Sequence, residues 1–144
     1  MAFSRRYWLV LALCLALQGL GQVRADLVVL HTNDVHCGVE NQLGYAQLAQ
    51  YKKDLMKNPD DTVQLVDAGD AIQGEPLGSL TRGQAVIDIM NVAGYDFAIP
   101  GNHEFDYGVA RLLELAPQLA GGYYSCNLVD LRTGKTVFPP YKMV

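Results

Sequence analysis

The chain has 144 residues, 50% hydrophobic and 18% charged, with 11 Lys and Arg against 15 Asp and Glu for a net charge of −4. Residues 1–25 hold Arg5, Arg6 and Arg24 and no acid, so the remaining 119 residues carry 8 basic and 15 acidic groups, a balance of −7. Such acidity excludes nucleic-acid backbones and anionic membrane surfaces as partners, because both require clustered positive charge. Small anions stay open as ligands, since a bound metal ion can offset their charge.

The N-terminus reads as a targeting segment. Arg5 and Arg6 precede eleven consecutive apolar residues, Tyr7 to Leu17, and a looser stretch ends at Ala25. A basic start, a short apolar run and a small residue at the exit make a secretory signal peptide over residues 1–25. The alternative is an uncleaved anchor, but the run falls short of the roughly 20 apolar residues of a spanning helix. Export leaves Cys37 and Cys126 in residues 26–144. Nothing in their spacing requires a disulfide, and both are expected as unpaired thiols.

Strands and helices then alternate. Leu27 to Thr32 is an apolar run ended by polar residues and reads as a buried strand. Leu43, Leu48, Tyr51 and Leu55 follow at helical spacing, until Asn58-Pro-Asp-Asp61 stops the helix. Thr62 to Val66 is a second strand. Gln84 to Ala93 is a second helix with Val86, Ile89, Met90 and Ala93 on one face, and Gly94 is its C-terminal signal. Tyr95 to Ile99 is a third strand, Val109 to Ala116 a third helix interrupted at Pro117, and Tyr123 to Cys126 a fourth strand. Alternation of this kind predicts an α/β fold with a mostly parallel sheet, whose ligands bind beyond the carboxyl ends of the strands. Loops 33–41, 67–75 and 100–108 would converge there.

Those loops carry metal-ligand chemistry. The first holds Asn33-Asp34-Val35-His36; Asp and His two apart on an extended segment point to one side. The second holds Gly69-Asp70, and the third Gly101-Asn102-His103-Glu104-Phe105-Asp106. Carboxylate, imidazole and carboxamide together suit a borderline to hard divalent ion such as Zn²⁺, Mn²⁺ or Fe²⁺. Taken singly, Asp34, Asp70 and Asn102 read as turn caps at strand ends. Three such loops in order, each directly after a strand, favour the metal.

The stretches Leu-His-Thr-Asn-Asp-Val-His (30–36), Asp-Ala-Gly-Asp-Ala-Ile-Gln-Gly (67–74) and Gly-Asn-His-Glu-Phe-Asp-Tyr-Gly (101–108) closely resemble the secreted 5′-nucleotidase family, within the calcineurin-like metallophosphoesterases. Residues 83–91 look like the helix between the last two motifs. The resemblance implies the N-terminal part of a calcineurin-like α/β domain, a four-layer α/β/β/α sandwich when complete. It also implies a two-metal phosphohydrolase acting on a small-molecule nucleotide, a 5′-nucleotidase in nucleotide catabolism. Asp34 and His36 would hold the first of two divalent ions (Zn, Mn or similar), Asp70 would bridge both, and Asn102 would hold the second. His103 would stabilise the phosphoryl group and Asp106 would orient its imidazole.

The neighbours of these residues receive plainer readings. His31 lies out of phase with Asp34 and His36 and reads as a structural hydrogen-bonder. Asp67 supports its turn, Gln73 shapes its loop, and Cys37 is a ligand only for a soft metal. Tyr123 and Tyr124 read as core and strand surface. Glu75, Glu104 and Arg82 receive no chemistry. The family supplies three further histidines and a nucleoside-binding domain from later sequence, whereas the last histidine here is His103. Residues 26–144 are therefore expected to be the N-terminal part of a truncated catalytic domain, inactive alone. The same motifs also suit a 2′,3′-cyclic nucleotide phosphodiesterase, a nucleotide-sugar diphosphatase, or a non-catalytic metal- or nucleotide-binding fragment. Location is expected to be periplasmic, cell-surface or secreted.

Overall fold

The computed structural model describes residues 26–41 and 43–144; the expected signal peptide lies outside the described residues. The element order is β1 (Leu27–Thr32), α1 (Gly44–Leu55), β2 (Thr62–Asp67), α2 (Pro76–Thr81), α3 (Gln84–Ala93), β3 (Phe97–Ala98), α4 (Val109–Leu115), β4 (Val129–Asp130) and β5 (Lys135–Thr136). Short 3-10 turns occupy His103–Phe105 and Ala116–Gln118. Strands β1, β2 and β3 form one parallel sheet in that order, with Leu27 opposite Thr62 and Thr32 opposite Asp67. Each strand of this sheet therefore delivers its carboxyl end to the same edge, as the alternation of elements predicts. Among the described residues no helix is long and apolar enough to cross a membrane.

The core lies between the sheet and its helices. Leu65, Ile72, Val86, Ile87, Met90 and Leu115 are fully buried. Each such side chain stabilises the fold by about 1.5–3 kcal/mol relative to exposure. Gly94 closes α3 with φ +80, and its N–H bonds back to the Met90 and Asn91 carbonyls. A left-handed cap of this kind is where glycine is favoured.

Several expected elements are corrected. β1 is not buried on both faces: Leu27 and Val29 are exposed, because β1 is the outer strand of the described sheet. Helix α1 turns Tyr45, Leu48 and Lys52 inward and leaves Leu43 and Tyr51 exposed. Lys52 is drawn in because Nζ donates to the Gly94 carbonyl and to Asp96 Oδ2, both at 2.6 Å. Asp96 Oδ2 also accepts the Leu65 N–H at 2.6 Å, so this ion pair ties α1 to the sheet. β3 starts late because the Tyr95 N–H is used by the helix cap, donating to Met90 O at 3.1 Å. Residues 123–126 form only a parallel bridge from Tyr123 to Ala98, after which Ser125 N–H turns away to Pro139 O. The short α2 and the β4–β5 hairpin are too brief to produce a periodicity and are additions.

Candidate metal centre

The β1–β2 ladder continues past both strand ends. Asp34 N–H donates to Gly69 O at 3.0 Å, His36 N–H to Asp70 O at 2.9 Å, and Cys37 N–H to Ala71 O at 3.0 Å. These bonds zip the first two loops together and bring Asp34, His36 and Asp70 to one place. The first loop is not extended: Asp34 has φ 53, His36 φ 48 and Cys37 φ 63, and Asp70 across from them has φ 63. Asp34 and His36 thus meet because the backbone coils left-handed, not because alternate residues share a side. Non-glycine residues adopt this conformation only where their surroundings over-determine it, and such residues gather at functional sites. Gly74 is needed beside them, since a Cβ there would collide with the carbonyl of His36.

The side chains converge. His36 Nδ1 donates to the Gln73 carbonyl at 3.0 Å, which leaves Nε2 with the lone pair, 3.9 Å from Asp34 Oδ1. A backbone bond on one ring nitrogen is the usual way a ligating histidine is oriented. Donor atoms of His36, Asp70 and His103 all lie within 4.8 Å of one another, and the two imidazoles meet edge to face at 4.9 Å. Asp70 Oδ1 accepts the His103 N–H at 2.7 Å. His103 Nδ1 donates to Asp106 Oδ2 at 2.8 Å, and this bond raises the imidazole pKa above its usual value. Asn102 stands exposed at the same strand end, between Gly101 and His103. The His36 imidazole with the Asp34 and Asp70 carboxylates fits a divalent ion of borderline character, and the His103 imidazole stands beside them.

The supporting residues divide. Asp67 carries the turn as expected: buried, it accepts the Thr32 hydroxyl at 2.6 Å and the Gly69 N–H at 2.9 Å. Burial pushes its pKa up to about 7. Cys37 turns into the core, its thiol donating to Ala71 O at 3.5 Å, and burial pushes its pKa up to about 11. Both described cysteines are free. Tyr123 is core and Tyr124 half-buried. Among the described residues the His31 side chain has no hydrogen-bond partner, against expectation: it is exposed on the wall of a cavity of about 400 Å³ beside Asp34, because β1 is the outer strand of the described sheet. Glu75 accepts from Asn41 Nδ2 at 2.7 Å, and Arg82 donates to Tyr107 O at 3.1 Å, so both brace loops. Glu104 is the residue that sequence reading missed. Its side chain is 1% exposed and accepts backbone N–H groups from Asp70, Ala71, Ile72 and Gly101. An acid placed among Asn, His and Asp reads as one more polar loop residue; only the folded loops show it turned inward.

The sequence profile described as calcineurin-like phosphoesterase matches residues 27–142, which span all three strand-end loops. The chain belongs to the calcineurin-like phosphoesterase family. Among its relatives, a snake venom 5′-nucleotidase from Gloydius brevicauda is 40% identical over 102 residues, covering 62% of this chain and 17% of the relative. A 2′,3′-cyclic-nucleotide 2′-phosphodiesterase/3′-nucleotidase from Yersinia enterocolitica is 33% identical over 137 residues, covering 83% of this chain and 21% of that protein. The structure of the Haemophilus influenzae NAD nucleotidase superposes with a TM-score of 0.64 at 28% identity, over 75% of this chain and 22% of that one. The chain thus spans about a fifth of the length of the curated relatives it matches. Its fold is the calcineurin-like α/β fold.

Proposed function

We propose that this chain contributes to a metal-dependent hydrolase of nucleotides that releases phosphate from nucleoside 5′-monophosphates. The observation that carries the reading is the convergence of His36 and Asp70 ligand atoms with the His103 imidazole beside them, all within 4.8 Å at the carboxyl edge of a parallel sheet. Likeness to 5′-nucleotidases supports this substrate class. Asp34 and His36 would hold one ion, Asp70 would reach both, and Asn102 would hold the second. Divalent ions at these donors would supply Lewis-acid polarisation of the phosphoryl oxygens and acidify water.

The chain's own residues do the rest. Asp106 holds the proton on His103 Nδ1 by the 2.8 Å bond and favours the charged imidazolium. His103 Nε2–H is then a charged donor for a phosphoryl oxygen, whose negative charge grows as the ester bond breaks. Gln73 O fixes the His36 tautomer, and the left-handed loop holds Asp34 against it. A second reading, cyclic-phosphodiester hydrolysis, is favoured by the 33% identity to the Yersinia enterocolitica protein over 83% of this chain. Export rests on the basic and then apolar N-terminal segment, residues 1–25.

The test uses the protein as its gene encodes it, stripped of metal with a chelator. Nucleoside 5′-monophosphates, 2′,3′-cyclic nucleotides and a nucleotide sugar are offered with and without Mn²⁺ or Zn²⁺. Phosphate release from the 5′-monophosphates that returns with metal supports the reading, and preferential opening of the cyclic substrate supports the second. Binding of metal with no hydrolysis of any phosphate ester would leave a non-catalytic binding protein.

A further inference from the structure

Glu104 is a buried carboxylate that the proposed chemistry does not use. Its Oε1 accepts N–H groups from Ala71 at 2.8 Å and Ile72 at 3.3 Å, and its Oε2 accepts from Asp70 at 2.8 Å and Gly101 at 2.6 Å. Taking a carboxylate out of water costs several kcal/mol unless its lone pairs are bonded. Two N–H groups on each oxygen meet that requirement. The three successive amides of residues 70–72 form a concave anion-binding nest, the arrangement that elsewhere cradles a ligand's phosphate. Here the nest is filled from within the chain, and the fourth amide comes from the other loop.

The consequence lies in what those amides belong to. Asp70 and Gly101 are in different loops, and the Glu104 side chain bonds the backbone of both through one oxygen. Gly101 packs so closely on Asp70 that a Cβ would collide with its carboxylate oxygen, and the next bonded amide, that of His103, donates to the same carboxylate. Asn102 stands between these two held positions.

We propose that Glu104 is the positioning residue of the metal centre, fixing Asp70 relative to Asn102 and His103 before any ion binds. This rests on the metal-dependent reading above. It also makes the acceptor count decisive. Every lone-pair position of the carboxylate faces an N–H, so an amide of the same shape loses two bonds and sets its own N–H₂ against two donors. Gln is therefore not a conservative replacement here, and Asp, with both oxygens on a shorter stem, cannot span both loops.

The gene-encoded protein is stripped of metal and titrated with Co²⁺, and visible absorption reads both affinity and ligand geometry. Glu104→Gln and Glu104→Asp are expected to bind Co²⁺ about 10–100-fold more weakly, the range for residues that orient ligands, with altered absorption bands. A folded variant of either kind with wild-type affinity and bands overturns the inference. In parallel, hydrogen exchange by mass spectrometry is followed on the metal-free wild-type protein. The amides of residues 70–72 and 101 should already be protected to the level of the core. Their rapid exchange before metal is added overturns the inference whatever the variants do. Wild-type protein that binds no Co²⁺ while these amides are protected would instead sink the proposed function and leave the clamp standing.

Discussion

His103 and Asp70 lie 33 residues apart and are joined directly: the His103 backbone N–H donates to Asp70 Oδ1 at 2.7 Å. The bond fixes one oxygen of the carboxylate and sets the start of the His103–Asp106 turn against it. Loop geometry would therefore shape the proposed ligand set. Residues that shape the backbone here should affect metal binding as strongly as residues that donate to it.

Gly101 tests this without removing a polar group. Its φ is not in the left-handed region, so alanine is tolerated by the backbone itself, but a Cβ would sit 2.8 Å from Asp70 Cγ and 2.8 Å from Asp70 N. Separations under 3 Å force a shift, and the atoms that must yield belong to Asp70. Gly101→Ala is expected to fold with Mn²⁺ affinity lowered by roughly 10-fold or more, the scale for disturbed ligand orientation. Unchanged affinity in calorimetric titration would show that Asp70 is not held where the structure places it.

The His103–Asp106 pair sets a proton. The bond from Asp106 raises the His103 pKa above the ordinary imidazole value, so Asp106→Asn should lower it. In the metal-free protein, NMR titration of the His103 ring should show the midpoint moving to lower pH in the variant. Chemistry that needs the imidazolium would then fade at a lower pH as pH rises. A midpoint that stays put would separate the two residues.

Asp67 predicts a pH dependence of stability. Burial raises its pKa from the ordinary 3.8 to about 7, against the opposing bonds from Thr32 and Gly69. Between these values the folded state keeps a proton that the unfolded chain has released, so stability is fully present at the acid end and falls as pH rises. The slope is up to roughly 1.4 kcal/mol per pH unit. Asn can accept from Gly69 and donate to the Thr32 hydroxyl, so Asp67→Asn should flatten the slope. Urea unfolding in chelator at several pH values between 4 and 7 measures it; an equally steep variant would remove Asp67 as the cause.

Lys52 predicts a loss of a different kind. Its ammonium lies between Gly94 O and Asp96 Oδ2, with its side chain only 10% exposed. Lys52→Ala leaves Asp96 half-buried with only the Leu65 N–H, and removing one partner of such a pair costs roughly 3 kcal/mol. An unfolding free energy in urea within a few tenths of a kcal/mol of wild type would show the pair to be dispensable.

The parallel sheet and the converging loops were legible because apolar runs ending in Asp, Gly and Asn mark strand ends in a parallel α/β fold. Asp34, His36, Asp70 and His103 could be read as one group for the same reason. The way they meet could not. Left-handed backbone at Asp34, His36 and Asp70 depends on hydrogen bonds between loops that are distant in sequence, and no local pattern signals it. Glu104 was invisible on the same ground, since its partners are amides some 30 residues earlier. Lys52 was not singled out because a charged residue at a core-facing helical position reads as solvent-facing until its partner Asp96 is known.

Asp70 is the anchor of the proposed divalent-metal site, and Mn²⁺ binding followed by electron paramagnetic resonance is the decisive check. Chelator-stripped wild-type protein is compared with Asp70→Asn, which keeps an oxygen for the His103 N–H but loses the charge. Bound Mn²⁺ is expected in the wild type and its loss in the variant, with the melting temperature little changed. Equal Mn²⁺ occupancy in the two proteins would contradict it.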